Sequence, residues 1–351
     1  SDVCSSDLEI IAGRWQVLAL PELDGLSIYS SEVEFLVDSL FVADFSLLEG
    51  AEVSGSLTTI VFSEQWMVEE NAMVSHPLHL LFLGTNGMYQ DLQKLSGINL
   101  TNRGDHLAIL ASGDFENLVL SGHTELEPQS TTVNSLVLER DAQLTLNDGA
   151  TLSISEMISH ENNTGGSSLI TSTGKASLFH DVYTKYCFEG LSVENVDLLG
   201  EAVINLDPES SVVNADNWSN ISCEDVIFVN FDVRYNCAGG ITKFINLSEG
   251  NINRLNWNFA GLGSSNLENP TFIFNFPRTY QITLQAIGSS GTKTFQKSIS
   301  VSSNTMDRPV IVVNGSQLSS QLPASSYQWY RNGVPIADAN SRSYIAIDEG
   351  I

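Results

Sequence analysis

Apolar side chains recur along this chain at every second position, in short runs. Leu118-Val119-Leu120, Leu136-Val137-Leu138, Leu144-Thr145-Leu146 and Leu152-Ser153-Ile154 are such runs, and Gly, Asn, Asp and Ser interrupt them at short intervals. A period of two sends alternate side chains to opposite faces of an extended strand. Helices would need capped stripes at i, i+3 and i+4, and these are essentially missing. The predicted class is all-β.

One stretch repeats. Laying FENLVLSGHTELE (Phe115 to Glu127) on VNSLVLERDAQLT (Val133 to Thr145) puts Phe115 on Val133, Leu118 on Leu136, Leu120 on Leu138 and Leu126 on Leu144. The offset is constant. Leu144-x-Leu146 then returns as Leu152-x-Ile154 after the turn Asn147-Asp148-Gly149. Self-similarity at a fixed period predicts a solenoid, in which each coil buries its rungs by stacking on its neighbours. A sandwich would also alternate, but would not hold apolar positions at one offset. The solenoid is expected over residues 9–222, with Leu138 and Leu146 inward and Asp141 and Gln143 outward. The string LTLNDGATLSI resembles β-helix segments of large secreted Bacteroidota proteins, where L-x-L-x-x-G-A-x-L-x-I phrases stack. Leu144, Leu146, Gly149, Ala150, Leu152 and Ile154 fit that phrase. The resemblance implies a right-handed parallel β-helix.

Two further units follow. Within residues 226–303, RLNWNFAGLGSSNLENPTFIFNFPRTYQITLQA resembles the PKD domain, a small immunoglobulin-like β-sandwich. The family's strings are W-D-F-G-D-G, N-P-x-H-x-Y and G-x-Y-x-V-x-L. Trp257 and Phe259 match the first, Asn269 and Pro270 the second, and Tyr280, Ile282 and Leu284 the third. Asn258, Ala260, Leu262, Phe274 and Arg278 depart from it, so core positions persist while loop positions drift. Over residues 309–351, SYQWYRNGVPIADANSRSYIAIDEGI resembles an immunoglobulin-like repeat reading Y-x-W-Y-x-N-G-x-x-I. Tyr327, Trp329, Tyr330, Asn332, Gly333 and Ile336 match it. Trp329 is then expected as a buried pin and Asn332-Gly333 as a type I′ hairpin turn. A typical domain of this kind has ~100 residues, so a partial sandwich is expected here.

The first eight residues read differently. SDVCSSDL translates TCAGACGTGTGCTCTTCCGATCT, which resembles the 3′ end of a common short-read sequencing adapter. Residues 1–8 are set aside on that resemblance, and the natural chain is expected to begin upstream of Glu9.

Charge and cysteine content narrow the partners. Across 351 residues, 42 acids face 15 Lys plus Arg, a formal charge of −27. Such a surface repels phosphate backbones, so neither nucleic acid nor an anionic membrane is an expected partner. It leaves room for calcium as a counter-ion, and no resident cofactor is expected. No apolar run approaches the ~18 residues of a spanning helix. With Cys4 in the suspect octet, Cys187, Cys223 and Cys237 remain. They lack zinc-finger spacing and allow one disulfide, Cys223 with either Cys187 or Cys237; buried reduced thiols are the alternative.

Candidate chemistry is sparse. His160-Glu161 starts like a zinc-protease motif, but Thr164 stands where the second histidine belongs. His76 and His79, three apart in an extended region, point to opposite faces. No nucleophile elbow, P-loop or dinucleotide fingerprint occurs. The basic residues of the solenoid region, Arg14, Lys94, Arg103, Arg140, Lys175 and Lys185, do not fall at matching coil positions, as a uronate lyase would require. Trp15, Trp66 and Trp218 are candidates for sugar stacking, with core packing the simpler assignment. No catalytic, cofactor-binding or metal-binding residue is singled out. The site residues are structural: Trp257, Phe259, Pro270, Tyr280, Trp329 and Gly333.

The order of modules resembles exported Bacteroidota surface proteins carried by type IX secretion. The resemblance implies an extracellular, non-enzymatic adhesin-like or structural role, with a polysaccharide or other cell-surface ligand as the partner. The alternative is a secreted polysaccharide lyase or glycoside hydrolase built on the β-helix.

Overall fold

A computed structural model describes residues 7–17, 23–75, 77–93, 95, 97–110, 114–161, 166–303, 310–321, 323–324, 326–331 and 334–346. Every regular element among them is a strand. Two compact units emerge: Ser1–Phe228 with Ser248–Arg254 and Ala286–Lys293, and Val229–Leu247 with Leu255–Gln285 and Thr294–Ile351.

The first unit is a parallel β-solenoid of about ten turns. Eighteen of its strands form one wrapped parallel sheet, and Lys185–Phe188, Val203–Leu206 and Ser219–Asn220 form a smaller one. Alternation fixes which side chains go inside, and parallel register then stacks like on like. One internal ladder runs Leu26, Phe45, Trp66, Tyr89, Ile109, Leu126, Leu146, each beside the next. A second runs Leu40, Ile60, Leu80, Leu100, Leu118, Leu136, Ile158. All are buried, and Phe45 stacks on Trp66 with centroids 4.7 Å apart.

The offset of 18 holds where the strand Asp114–Leu120 meets Ser130–Leu138, pairing Phe115 with Val133, Leu118 with Leu136 and Leu120 with Leu138. It fails at the next face. Leu126 pairs with Leu146, not Leu144, and Thr124 takes Leu144. The cause is the corner: Ser121-Gly122 turns one coil, whereas Glu139 to Ala142 turns the next, with Asp141 at φ 60°. Nor does Leu152-x-Ile154 stack on Leu144-x-Leu146. It forms the following face of the same coil, lying between Thr131-x-Val133 and Leu178-x-His180.

Some corners stack backbone on backbone. Gly84, Gly104 and Gly122 fall in register, and a Cβ on any of them would strike a carbonyl oxygen of the coil before: Ser63, Gly84 and Gly104 respectively. Asn102 stands in a third internal ladder, between Phe82 and Leu120. Fully buried, it donates to His123 O at 3.0 Å and Thr124 Oγ1 at 2.8 Å, and accepts from the Gly104 N–H. A buried amide satisfied on both ends costs little, and it ties the strand Ile98–Asn102 and the turn after it to the strand His123–Leu126.

Of the octet set aside on its adapter resemblance, residues 1–6 lie outside the described part. Leu8 opens the first strand, Leu8–Val17, and pairs with Leu26. Ladder hydrogen bonds use only backbone groups, so any residue can extend them. A disulfide joins Cys187 to Cys223, with Cα atoms 6.0 Å apart; Cys237 is an exposed free thiol.

A β-sandwich follows the solenoid in sequence. Phe231–Arg234, Ile241–Asn246 and Thr271–Ile273 pair antiparallel, and a second sheet holds Ser264–Ser265, Ile252–Phe259, Thr279–Gly288 and Gly291–Ser300. Trp257 sits between the sheets, 5.2 Å from Phe231 and 5.5 Å from Phe244, and its indole N–H donates to Leu267 O. Phe259 packs 4.9 Å from Phe244, and Pro270 is buried. Tyr280 is buried with its hydroxyl on Phe276 O, four residues back, a tyrosine-corner geometry.

The last described strands form a three-stranded antiparallel sheet and a two-stranded hairpin. The hairpin Ile311–Asn314 and Gln317–Ser320 pairs with Ser343–Ile345. Trp329, expected as a buried pin, is half-exposed: it packs 6.1 Å from Tyr344 and donates to Ser341 O. No facing sheet covers it among the described residues. Asn332, Gly333, Pro309 and Ile347 lie outside those residues, while Tyr330–Arg331 and Val334–Pro335 on either side of the expected turn pair antiparallel.

Candidate functional site

The densest group of chemistry-bearing side chains lies on the outer surface of the solenoid. The strands His106–Ile109 and His123–Leu126 are parallel neighbours, with His106 opposite His123 and Ala108 opposite Glu125. Burial of Leu107, Ile109, Thr124 and Leu126 turns His106, His123 and Glu125 outward on one face. Ala108 carries too small a side chain to fill its place, which leaves room for the Glu125 carboxylate to reach both rings.

Glu125 Oε1 stands 3.4 Å from His106 Nε2 and 3.7 Å from His123 Nε2. The two rings lie edge to face, 4.9 Å between centroids. One ligand atom from each of the three residues falls within 4.8 Å of the other two, and all three residues are half-buried. Partners on the flanking coils orient the rings. His106 Nδ1 is 2.8 Å from Asn86 Oδ1, and His123 Nε2 is 2.9 Å from Thr145 Oγ1. Partial burial lowers the pKa of His123, the neighbouring His106 lowers it further, and Glu125 opposes both.

Sequence reasoning missed this group because the two histidines are 17 residues apart, outside any local motif. The signal is the coil period itself, which carries His106 onto His123.

The other candidates scatter. His79 donates to or accepts from Thr101 Oγ1 at 3.1 Å, His160 packs on Phe188, and His76 and Thr164 lie outside the described residues. The basic residues are taken up locally: Arg14 by Glu32, Arg103 by Glu139, Arg140 by Asp141 and Lys175 by Asp197. Lys185 reaches Cys223 O and Val226 O, and Lys94 is not described. Trp66 is wholly inside, Trp218 is half-buried with its N–H on Val196 O, and Trp15 is 51 % exposed. Among carboxylates, burial and then Glu64 raise Asp44 above the ordinary aspartate value. A cleft of about 470 Å³ lies between coils, lined by Glu52, Met73, Val74, Pro77, Gln93 and Leu95 among others.

No protein-family model matches the chain, and no curated protein matches it. Among solved structures, the PKD1 domain of Vibrio anguillarum Epp is 17 % identical, matching 23 % of this chain and 98 % of its own length at a TM-score of 0.21. The PKD1 domain from the Vibrio cholerae metalloprotease PrtV is 23 % identical over 21 % of this chain and 94 % of its own, with a TM-score of 0.20. Both of these neighbours are PKD domains.

Proposed function

We propose that this chain belongs to a modular extracellular protein and that its solenoid is a non-enzymatic scaffold of the adhesin-like or structural kind. The carrying observation is the continuous interior. Rung after rung of buried Leu, Ile, Phe and Trp fills the coils from Leu26 to Ile158, so outward side chains lie in flat rows. Such rows suit broad contact with an extended ligand such as a polysaccharide, whereas cleaving a glycosidic bond calls for an acid/base pair, and the convergent group His106, His123 and Glu125 carries a single carboxylate. The Cys187–Cys223 disulfide fits an oxidising compartment, and the acidic balance fits a soluble exported surface. Sandwich modules at residues 226–303 and 309–351 serve in this reading as spacers or accessory binders. Export by a Bacteroidota-type type IX route, and an adapter origin for residues 1–8, belong to the same reading.

The test offers the full chain polygalacturonate, alginate and xylan, following both binding to the immobilised polymer and release of new reducing ends or unsaturated products. Binding without turnover is the expected result. Sustained product release, abolished by Asp44→Asn or Glu64→Gln, would replace the scaffold with the glycoside hydrolase or lyase alternative.

A further inference from the structure

We propose that His106, His123 and Glu125 form a divalent transition-metal site on the solenoid's outer face, with Asn86 as a positioning residue and at least one coordination position open to an external ligand. The site stands independently of the scaffold reading.

Geometry carries it first. Zinc binds imidazole nitrogen and carboxylate oxygen at about 2.0–2.2 Å. Tetrahedral ligands at that radius sit about 3.4 Å from one another. Glu125 Oε1 is 3.4 Å from one imidazole Nε2 and 3.7 Å from the other, so a cation fits with small side-chain shifts.

Hydrogen bonding supplies an independent argument. Asn86 Oδ1 is an acceptor, so His106 Nδ1 must carry the proton it shares at 2.8 Å. In the neutral ring this places the proton on Nδ1 and the lone pair on Nε2, the atom that faces Glu125. Metal-ligating histidines are held in this manner by a partner on the far ring nitrogen. His123 Nε2 lies 2.9 Å from the Thr145 hydroxyl, which accepts from it or donates to it according to the tautomer, and the Nδ1-protonated tautomer presents the Nε2 lone pair. Zinc would take that lone pair in place of a neutral hydrogen bond.

The donor set also selects the metal. Calcium prefers six to eight oxygens, whereas two of three donors here are imidazole nitrogens, which suit zinc, copper or nickel. The half-buried rings already lie edge to face on rigid parallel strands, so little side-chain freedom is lost on binding. Three protein ligands leave a fourth position for water or for a group on a partner.

The test titrates zinc chloride into the full chain by calorimetry, with Cys4 and Cys237 changed to serine so that no free thiol competes. One zinc per chain is expected, with no heat from calcium chloride at equal concentration. His106→Gln, His123→Gln and Glu125→Gln should each weaken binding at least tenfold. Asn86→Ala should weaken it about tenfold, the usual cost of losing an outer partner, and Thr145→Val should not weaken it. His79→Ala, on the same solenoid but outside the site, should bind as the parent does. Zinc should also shield His106 and His123, and not His79, from diethylpyrocarbonate, a readout on the unmutated side chains that needs no folded variant. Absence of zinc heat, unshielded His106 and His123, or parent-like affinity in both histidine variants would overturn the site. Parent-like affinity in Asn86→Ala would overturn the positioning role.

Discussion

The solenoid and the sandwich bury apolar surface in opposite ways. Along the solenoid, each rung touches the rung before and the rung after, as Leu100, Leu118 and Leu136 do. In the sandwich, a few aromatics meet at one point: Phe231, Phe244 and Phe259 all gather round Trp257. The first arrangement distributes stability along a line, and the second concentrates it. A lesion in the solenoid should therefore be felt locally, whereas a lesion at Trp257 should be felt throughout its domain.

The sharpest way to break this contrast is Trp257→Ala. It should cost about 3–5 kcal/mol, the range for a large buried aromatic, and deprotect all sandwich strands together. Amide exchange read by mass spectrometry checks it; protection lost only near residue 257 would put the sandwich on the same footing as the coils. Opening the Cys187–Cys223 bridge, with a sequence separation of 36, should cost about 4 kcal/mol in the chain-entropy model. A denaturant melt with and without reductant measures it, and exchange should rise in the last coils, not near Leu26. Leu138→Ala should cost about 2–5 kcal/mol, with exchange rising in the coils on either side, while Asp141→Ala should change little. Asn102→Ala should cost about 1–3 kcal/mol, because it strands the Thr124 hydroxyl and the Gly104 N–H; the same melt reads it.

The smallest effect is electrostatic. Burial pushes Asp197 up, but the Lys175 ammonium, 2.7 Å away, and the Asp216 N–H outweigh it and hold the carboxyl below the ordinary aspartate value. A depressed carboxylate stabilises the fold above its unfolded pKa, and that contribution fades as pH falls through the folded value. Melting temperature should thus drop on acidification below about pH 4, and Asp197→Asn should blunt the drop. An unchanged acid slope in that variant would show that other carboxylates carry it.

Much of the fold was legible because alternation is a direct imprint of strand geometry. Leu118, Leu120, Leu136 and Leu138 read correctly from period and offset alone. Leu126 did not, since its partner depends on corner length: two residues at Ser121-Gly122 against four from Glu139 to Ala142 shift the register of everything after. The same dependence hid the histidine pair. His106 meets His123 through a coil of 17 residues, while the strand Gln143–Leu146 meets Ser168–His180 through 26. No fixed window finds such pairs. Trp257 was legible through a motif; Trp329 carried a similar motif, yet its burial depends on a facing sheet that no local string encodes.

The column of Gly84, Gly104 and Gly122 sets what a longer version of this stack would have to copy. Three successive coils share a corner position where a Cβ would strike a carbonyl oxygen of the coil before, although the number of residues in the corner varies from coil to coil. A whole coil, duplicated with its glycine and its rungs, would slot between its parents and lengthen the stack by about 4.8 Å. A whole copy keeps each glycine against a carbonyl of the coil before it, a contact that a side chain at any one of these glycines would break. Reach becomes a quantity counted in copies of one sequence segment, adjustable by recombination without redesigning a core.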